Sequence, residues 1–109
     1  MSYKFIDILL KKIERNKKKN PKVSYTAKLI RSGMRGCKKK FLEEVNEFVF
    51  SLNQNKKSIQ HEAADLLYHF FVLLKLKKIN FISIIQELKK RSKISGIQEK
   101  NNRLVKKNN

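Results

Sequence analysis

Acidic residues are scarce in this chain, and most of them fall in two short segments. The 109 residues include nine aspartates and glutamates against 27 lysines and arginines. Five of the nine acids are Glu43, Glu44, Glu47, Glu62 and Asp65. Spacings of three or four residues place side chains on one face of a helix. Carboxylates gathered in this way bind Mg²⁺ or Mn²⁺ rather than zinc, which prefers cysteine and histidine.

The elements that must position these acids are predicted to be helices. One proline, three glycines and 40% apolar residues favour a single all-α domain. Apolar residues at helical spacing predict five helices. These are 3–15, a short helix capped by Ser24 and ended by Gly33, Arg35 to Leu52, a helix from its N-cap Ser58 to about Lys78, and 81–91. We therefore expect a helical domain over residues 1–91 and a polar, partly disordered tail over 92–109.

The third and fourth predicted helices each have an acidic edge beside an apolar face. On the third, Glu43, Glu44 and Glu47 share a face with Lys40. The opposite, core-facing positions are Cys37, Phe41, Val45, Phe48 and Leu52. On the fourth, Glu62, Asp65 and His69 form a narrow edge, and the core-facing positions are Ala63, Leu67, Phe71 and Leu74.

A short connection between these two helices favours an antiparallel hairpin, which would bring four carboxylates together. Two unit charges about 5 Å apart repel by about 3 kcal/mol at an effective dielectric near 20. Several such pairs require a bound cation, so the pattern predicts a metal site. The alternative interpretation is an ordinary solvated acidic surface.

The formal net charge of +18 suggests a nucleic-acid-binding protein as a rival interpretation. Only five of the cations are arginines, however, and the lysines are spread over nearly every segment. Sequence-specific DNA readers depend on arginine. We attribute the charge mainly to the codon bias of an AT-rich genome and expect only non-specific nucleic-acid binding.

The sequence lacks the usual marks of export and membrane insertion. No segment approaches the roughly 18 apolar residues of a membrane span, and the first residues do not resemble a signal peptide. The single cysteine, Cys37, cannot form an internal disulfide. We expect a cytoplasmic protein.

Five segments together give the chain a family resemblance. They are PKVSYTAKL (21–29), KKFLEEVNE (39–47), HEAADLLYHFFVLL (61–74), IIQELKKR (84–91) and SGIQEKNNR (95–103). In these segments the chain resembles phosphoribosyl-ATP pyrophosphatases, which belong to the MazG-like all-α superfamily. The superfamily pattern, Glu-x-x-Glu followed by Glu-x-x-Asp, corresponds to Glu44, Glu47, Glu62 and Asp65.

The resemblance implies an activity and roles for individual residues. The activity is Mg²⁺-dependent hydrolysis of phosphoribosyl-ATP to phosphoribosyl-AMP and pyrophosphate, in the second step of histidine biosynthesis. The four matching carboxylates would bind the metal. Glu43 would orient or activate the attacking water, or else be a surface acid. The predicted substrate-binding residues are Ser24, Tyr25, Lys28 and Lys40.

The two histidines have simpler interpretations than acid–base catalysis. His61 lies near the start of its helix and is expected to be exposed. His69 is expected to hydrogen-bond a metal-binding carboxylate. In the tail, Ser95, Gly96, Lys100 and Arg103 match the family, with roles either in substrate contact or in docking the C-terminus.

The chain departs from the family at two positions, and alternatives to the predicted activity stay open. Leu42 stands where the family usually has glycine, and Gly36 where a basic residue is common. The broad apolar arc of the fourth helix predicts a homodimer. The alternatives are a MazG-like pyrophosphatase for another nucleotide and a basic nucleic-acid-binding helical module.

Overall fold

The computed structural model describes residues 4–93, and every regular element in that range is a helix. The helices are α1 (Lys4–Asn16), α2 (Tyr25–Arg31), α3 (Gly33–Ser51), α4 (Lys56–Leu76) and α5 (Phe81–Ser92). The predicted all-α class is thus confirmed, and every helix end except the start of α4 lies within about two residues of the one expected from the sequence. None of the described helices is long and apolar enough to cross a membrane.

The chain divides into two compact units between Ile79 and Asn80. The described part of the first unit contains α1 to α4, and that of the second contains α5. The predicted tail falls almost entirely on residues 94–109, outside the described range, so its boundary and its family-like segment stay predictions.

Local capping explains where α2 and α4 begin. The Ser24 hydroxyl accepts a hydrogen bond from the Ala27 amide at 3.1 Å, which confirms Ser24 as the N-cap of α2. The prediction for α4 was wrong: its N-cap is Asn55, whose side-chain oxygen accepts from the Ser58 amide at 2.8 Å. Asparagine caps as well as serine and occurs three residues earlier, so the helix begins there.

Two glycines permit the close connection between α2 and α3. Gly33 has a φ of 78°, a left-handed conformation that a side chain would oppose. A Cβ atom at Gly36 would overlap the Ser32 side chain. A side chain at position 36 would therefore require Ser32 to move.

Helices α3 and α4 form the predicted hairpin and make the most extensive helix–helix contact of the described chain. Residues 52–55 connect them, and the Phe41 and Phe70 rings meet across the pair with centroids 6.4 Å apart. Core residues come from all four helices of this unit: Ile13, Ala27, Leu29, Cys37, Phe71, Val72 and Leu74. Their burial supplies the main stabilisation of the fold.

Helices α1 and α2 attach to this hairpin through polar as well as apolar contacts. The Lys75 ammonium of α4 lies 3.7 Å from the Glu14 carboxylate of α1. The buried thiol of Cys37 donates to the Leu29 carbonyl at 3.2 Å and so joins α3 to α2. These contacts hold α1 against α4 and α2 against α3.

The predicted core faces of α3 and α4 were partly wrong. Glu44 is only 8% exposed, whereas Leu52 and Leu67, both predicted to face the core, are 53% and 52% exposed. The reason is that α2 covers the side of the hairpin that carries Glu44 and His69. A projection of a single helix does not include this third helix.

Candidate active site

Three potential metal ligands converge on the first half of α4. One ligand atom from each of His61, Glu62 and Asp65 lies within 4.8 Å of the other two. The His61 ring is exposed, as predicted, and its Nε2 lies 3.4 Å from a carboxylate oxygen of Asp65. Within residues 4–93, Glu44 and Glu47 do not come as close to this group.

The acids of α3 surround a lysine from the same helix. The Lys40 ammonium lies 3.4 Å from the Glu44 carboxylate and 3.5 Å from that of Glu43. Desolvation alone would lower the pKa of Lys40, but Tyr25 and the two glutamates outweigh it and raise that pKa above its usual value. Lys40 is therefore charged at neutral pH. Glu47, one turn further along, is exposed.

Tyr25, the first residue of α2, connects the two acidic groups. Its hydroxyl lies 2.8 Å from Nε2 of the buried His69. Burial raises the pKa of Tyr25 above its usual value, and Lys40 opposes this rise. The carboxylates of Glu44 and Asp65 both add to it. The acids of α3 and α4 therefore act on the same hydroxyl group.

The hydrogen bonds of His69 define its role and correct a prediction. Its Nδ1 lies 2.7 Å from the main-chain carbonyl of Asp65, not from a carboxylate as predicted. Because a carbonyl only accepts, Nδ1 carries a proton, and in the neutral ring Nε2 accepts from the Tyr25 hydroxyl. His69 thus holds Tyr25 in place beside the acids. The Asp65 carbonyl lies one turn before His69 on the same helix, and the ring bonds to it there.

A second contact beside this one was not found from the sequence. The Thr26 hydroxyl hydrogen-bonds the Tyr68 hydroxyl, so adjacent residues of α2 meet adjacent residues of α4. Burial raises the pKa of Tyr68, and Tyr25 adds to the rise. The sequence feature that could have indicated this contact is the presence of tyrosine beside polar residues in two helical segments, SYT at 24–26 and LYH at 67–69.

The predicted substrate-binding residues lie in different surroundings. Tyr25 and Lys40 lie at the acids, and their positions agree with the predicted site. Ser24 is buried and its hydroxyl is engaged as the α2 cap, also lying 3.4 Å from the Asn16 carbonyl. Lys28 is exposed on α2. A direct substrate contact by Ser24 or Lys28 stays a prediction.

The donor set of this region suits a hard divalent cation. The grouped ligand atoms on α4 are the carboxylates of Glu62 and Asp65 and the ring of His61, and the described site contains no thiolate ligand. Oxygen-rich sites of this type select Mg²⁺ or Mn²⁺. The one buried thiol, Cys37, is engaged with a carbonyl of α2.

Comparison with known proteins identifies the family of the chain. The sequence model of the phosphoribosyl-ATP pyrophosphohydrolase family matches residues 7–92. The chain belongs to this family. The match includes most of α1, all of α2 to α4 and every predicted metal ligand, and it confirms the resemblance to the MazG-like superfamily.

Individual relatives agree with this membership. The chain is 40% identical over 84 residues to the phosphoribosyl-ATP pyrophosphatase of Sinorhizobium medicae, covering 76% of this chain and 78% of the relative. It is 44% identical over 81 residues to phosphoribosyl-ATP pyrophosphatase 1 of Bradyrhizobium diazoefficiens, covering 73% of this chain and 76% of that relative.

Another relative is a longer protein. The histidine biosynthesis bifunctional protein HisIE of Helicobacter hepaticus is 41% identical over 102 residues, which cover 93% of this chain. The match spans only 44% of that relative's length.

Proposed function

We propose that the chain hydrolyses phosphoribosyl-ATP to phosphoribosyl-AMP and pyrophosphate in the second step of histidine biosynthesis. Family membership supports this reaction, as do the names of relatives that share about 40% of their residues with the chain. The observation that carries the proposal is structural. The Tyr25 hydroxyl lies 2.8 Å from His69 of α4, and the Lys40 ammonium lies 3.5 Å from Glu43 and 3.4 Å from Glu44 on α3.

We propose Mg²⁺ as the cofactor, with Mn²⁺ as a substitute, bound by Glu44, Glu47, Glu62 and Asp65. A bound divalent cation polarises phosphoryl oxygens and lowers the pKa of a bound water. His61, which lies against Asp65, would orient that carboxylate.

The protein groups around these ligands have their own proposed roles. Lys40 lies against both Glu43 and Glu44 and would neutralise a phosphoryl oxygen brought to the acids. Tyr25, held by His69, would position the nucleotide. Glu43, exposed and 3.5 Å from Lys40, is the candidate for orienting the attacking water.

The test is pyrophosphate release by the purified chain. With millimolar Mg²⁺, phosphoribosyl-ATP should be hydrolysed, and removal of the metal with EDTA should stop the reaction. ATP, dCTP and dUTP should be poor substrates. Preference for one of these would support the alternative of a MazG-like pyrophosphatase for another nucleotide. No hydrolysis of any of them would refute both enzyme proposals.

Magnesium binding has a second readout that does not depend on the substrate. A ligand that binds only the folded state stabilises it by RT ln(1 + [L]/Kd). Millimolar Mg²⁺ should therefore raise the melting temperature of the chain, whereas an equal ionic strength of NaCl should not. Equal melting temperatures in both salts would contradict the proposed metal site.

We also propose that the chain forms a homodimer in the cytoplasm. Leu42 and Val49, one heptad apart on α3, are 62% and 55% exposed, although much of the apolar arc of α4 is buried within the subunit. An exposed apolar stripe of this kind suggests a surface that a second subunit covers. Sedimentation should give twice the subunit mass of 12.9 kDa. Leu42→Asp should shift the protein to monomers, and Leu88→Asp, at a similarly exposed position of α5, should not.

A further inference from the structure

We propose that a cavity beside the acids binds the phosphate of the second sugar of the substrate, the group that distinguishes phosphoribosyl-ATP from ordinary nucleotides. This inference rests on the proposed function. The cavity has a volume of about 350 Å³ and lies between α1, the segment before α2, and α4. That volume falls within the range of small-molecule sites.

The charge of the cavity lining favours an anionic ligand. Lys12 from α1 and Lys19 from the following segment both line it, and none of its described lining residues is acidic. Both lysines are exposed and have room to extend towards a ligand. A lysine ammonium is a compact charge that binds phosphate well.

The other walls suit a sugar rather than an isolated ion. Ile13 and Leu9 supply apolar surface, and Tyr25 and Tyr68 also belong to the lining. Because burial raises the pKa of both tyrosines, they stay neutral and do not repel an anion. An apolar wall with two phenol groups and two ammonium groups matches a phosphorylated ribose.

Tyr25 connects this cavity to the acids. It lines the cavity, yet its hydroxyl bonds His69 and lies within the electrostatic reach of Glu44 and Asp65. The cavity and the acids therefore share a wall. A substrate with its phosphoanhydride at the acids would have its second sugar beside Tyr25. The cavity would then determine specificity, because nucleoside triphosphates without a second phosphorylated sugar cannot use Lys12 and Lys19.

The test compares two double variants with the same loss of charge. Lys12→Ala/Lys19→Ala removes the cavity lysines. Lys11→Ala/Lys22→Ala removes two exposed neighbours that do not line it. Loss of charge-assisted bonds to a phosphate should raise KM for phosphoribosyl-ATP by about tenfold or more. The kcat should change by less than about twofold, since the acids are untouched, and the control variant should behave like the parent.

A binding measurement isolates the second phosphate. The product phosphoribosyl-AMP carries it and AMP does not, so inhibition by phosphoribosyl-AMP should weaken in Lys12→Ala/Lys19→Ala while inhibition by AMP stays the same. Lys12→Gln/Lys19→Gln, which retains the side-chain length, should give the same result. Thermal melts of each variant verify that the exposed substitutions leave the fold intact.

Two outcomes would overturn the inference. An unchanged KM in the cavity variant would exclude a role for these lysines, and an equal rise in both double variants would indicate long-range charge attraction only. Either result would leave the proposed function standing, because the parent would still release pyrophosphate. An inactive parent would instead refute the proposed function and, with it, this subsite.

Discussion

Asp65 presents two different acceptors, and the structure separates their roles. Its main-chain carbonyl accepts from His69, whereas its carboxylate lies 3.4 Å from the exposed His61 ring. The first contact fixes the interior of the hairpin, and the second lies at the proposed metal site. A substitution that changes only the side-chain charge can therefore distinguish structural from catalytic importance.

We expect Asp65→Asn to abolish most pyrophosphate release while the fold survives. The amide keeps the shape but removes one ligand charge, and the carbonyl bond to His69 is unaffected. In the metal-free protein, relief of repulsion between close carboxylates, about 1 to 3 kcal/mol per pair, offsets the loss of the exposed contact with His61, which contributes under about 1 kcal/mol. The measurements are activity and the metal-free melting temperature.

Asp7→Asn on α1 provides the matched control for this prediction. Asp7 is exposed and lies outside the acidic groups of α3 and α4, so both its activity and its melting temperature should equal those of the parent. An Asp65→Asn variant that is clearly destabilised but still active would show that Asp65 is structural. That result would remove it from the metal site.

Cys37 gives a residue-scale prediction about reactivity. Burial raises the pKa of its thiol, with a smaller opposing effect from Ser32, and the thiol donates to the Leu29 carbonyl. Since the thiolate is the reactive form, alkylation by iodoacetamide at pH 8 should be slow in the folded protein and fast in denaturant. Mass spectrometry follows the reaction. Equal rates in both conditions would contradict the observed burial.

At the scale of helices, the sequence predicted the existence of every described element because the apolar spacing is regular and turn residues separate the segments. It did not predict which of two neighbouring polar residues caps α4. Asn55 and Ser58 are both good N-caps, and local propensity does not rank them. The helix begins after the earlier of the two, Asn55, which adds three residues, nearly one turn, to α4.

The corrected cap of α4 can be tested with its own control. Asn55→Ala should reduce the free energy of unfolding by about 1 kcal/mol, because the Ser58 amide loses its acceptor. Ser58→Ala leaves that acceptor in place and should cost under about 0.5 kcal/mol. Urea unfolding curves of the two variants measure the difference. A larger loss in Ser58→Ala would restore the sequence-based assignment.

The candidate site was predictable from the sequence in part, again for a physical reason. The positions of the acids on α3 and α4, and of Lys40 beside them, followed from helical spacing, and Tyr25 followed from the family resemblance. The interior position of Glu44 and the contact between Tyr25 and His69 depend on how α2 crosses the hairpin. That crossing is set by tertiary packing, on which single-helix periodicity carries no information.

For the whole molecule, the dominant property is a net charge of +18. The cations occur on all five helices of the described chain, and several are already paired. Examples are Lys17 with Glu14 at 2.6 Å and Arg91 with Glu87 at 3.2 Å. A charge spread in this way attracts polyanions without selecting among them. The nucleic-acid-binding alternative instead requires one continuous binding face.

The last prediction therefore concerns the response of DNA binding to salt. If the positive charge binds DNA only non-specifically, a labelled random duplex should bind measurably at about 50 mM salt. Its affinity should fall at least about a hundredfold by about 200 mM salt, because binding depends on counterion release. Fluorescence anisotropy measures both affinities, and a second duplex of different sequence should give the same values. Phosphoribosyl-ATP at a saturating concentration should displace little of the DNA, since the proposed substrate site occupies a small part of the basic surface. Tight binding that persists at about 200 mM salt and distinguishes the two duplexes would favour a nucleic-acid-binding function, because contacts to base edges survive the salt that removes contacts to phosphates.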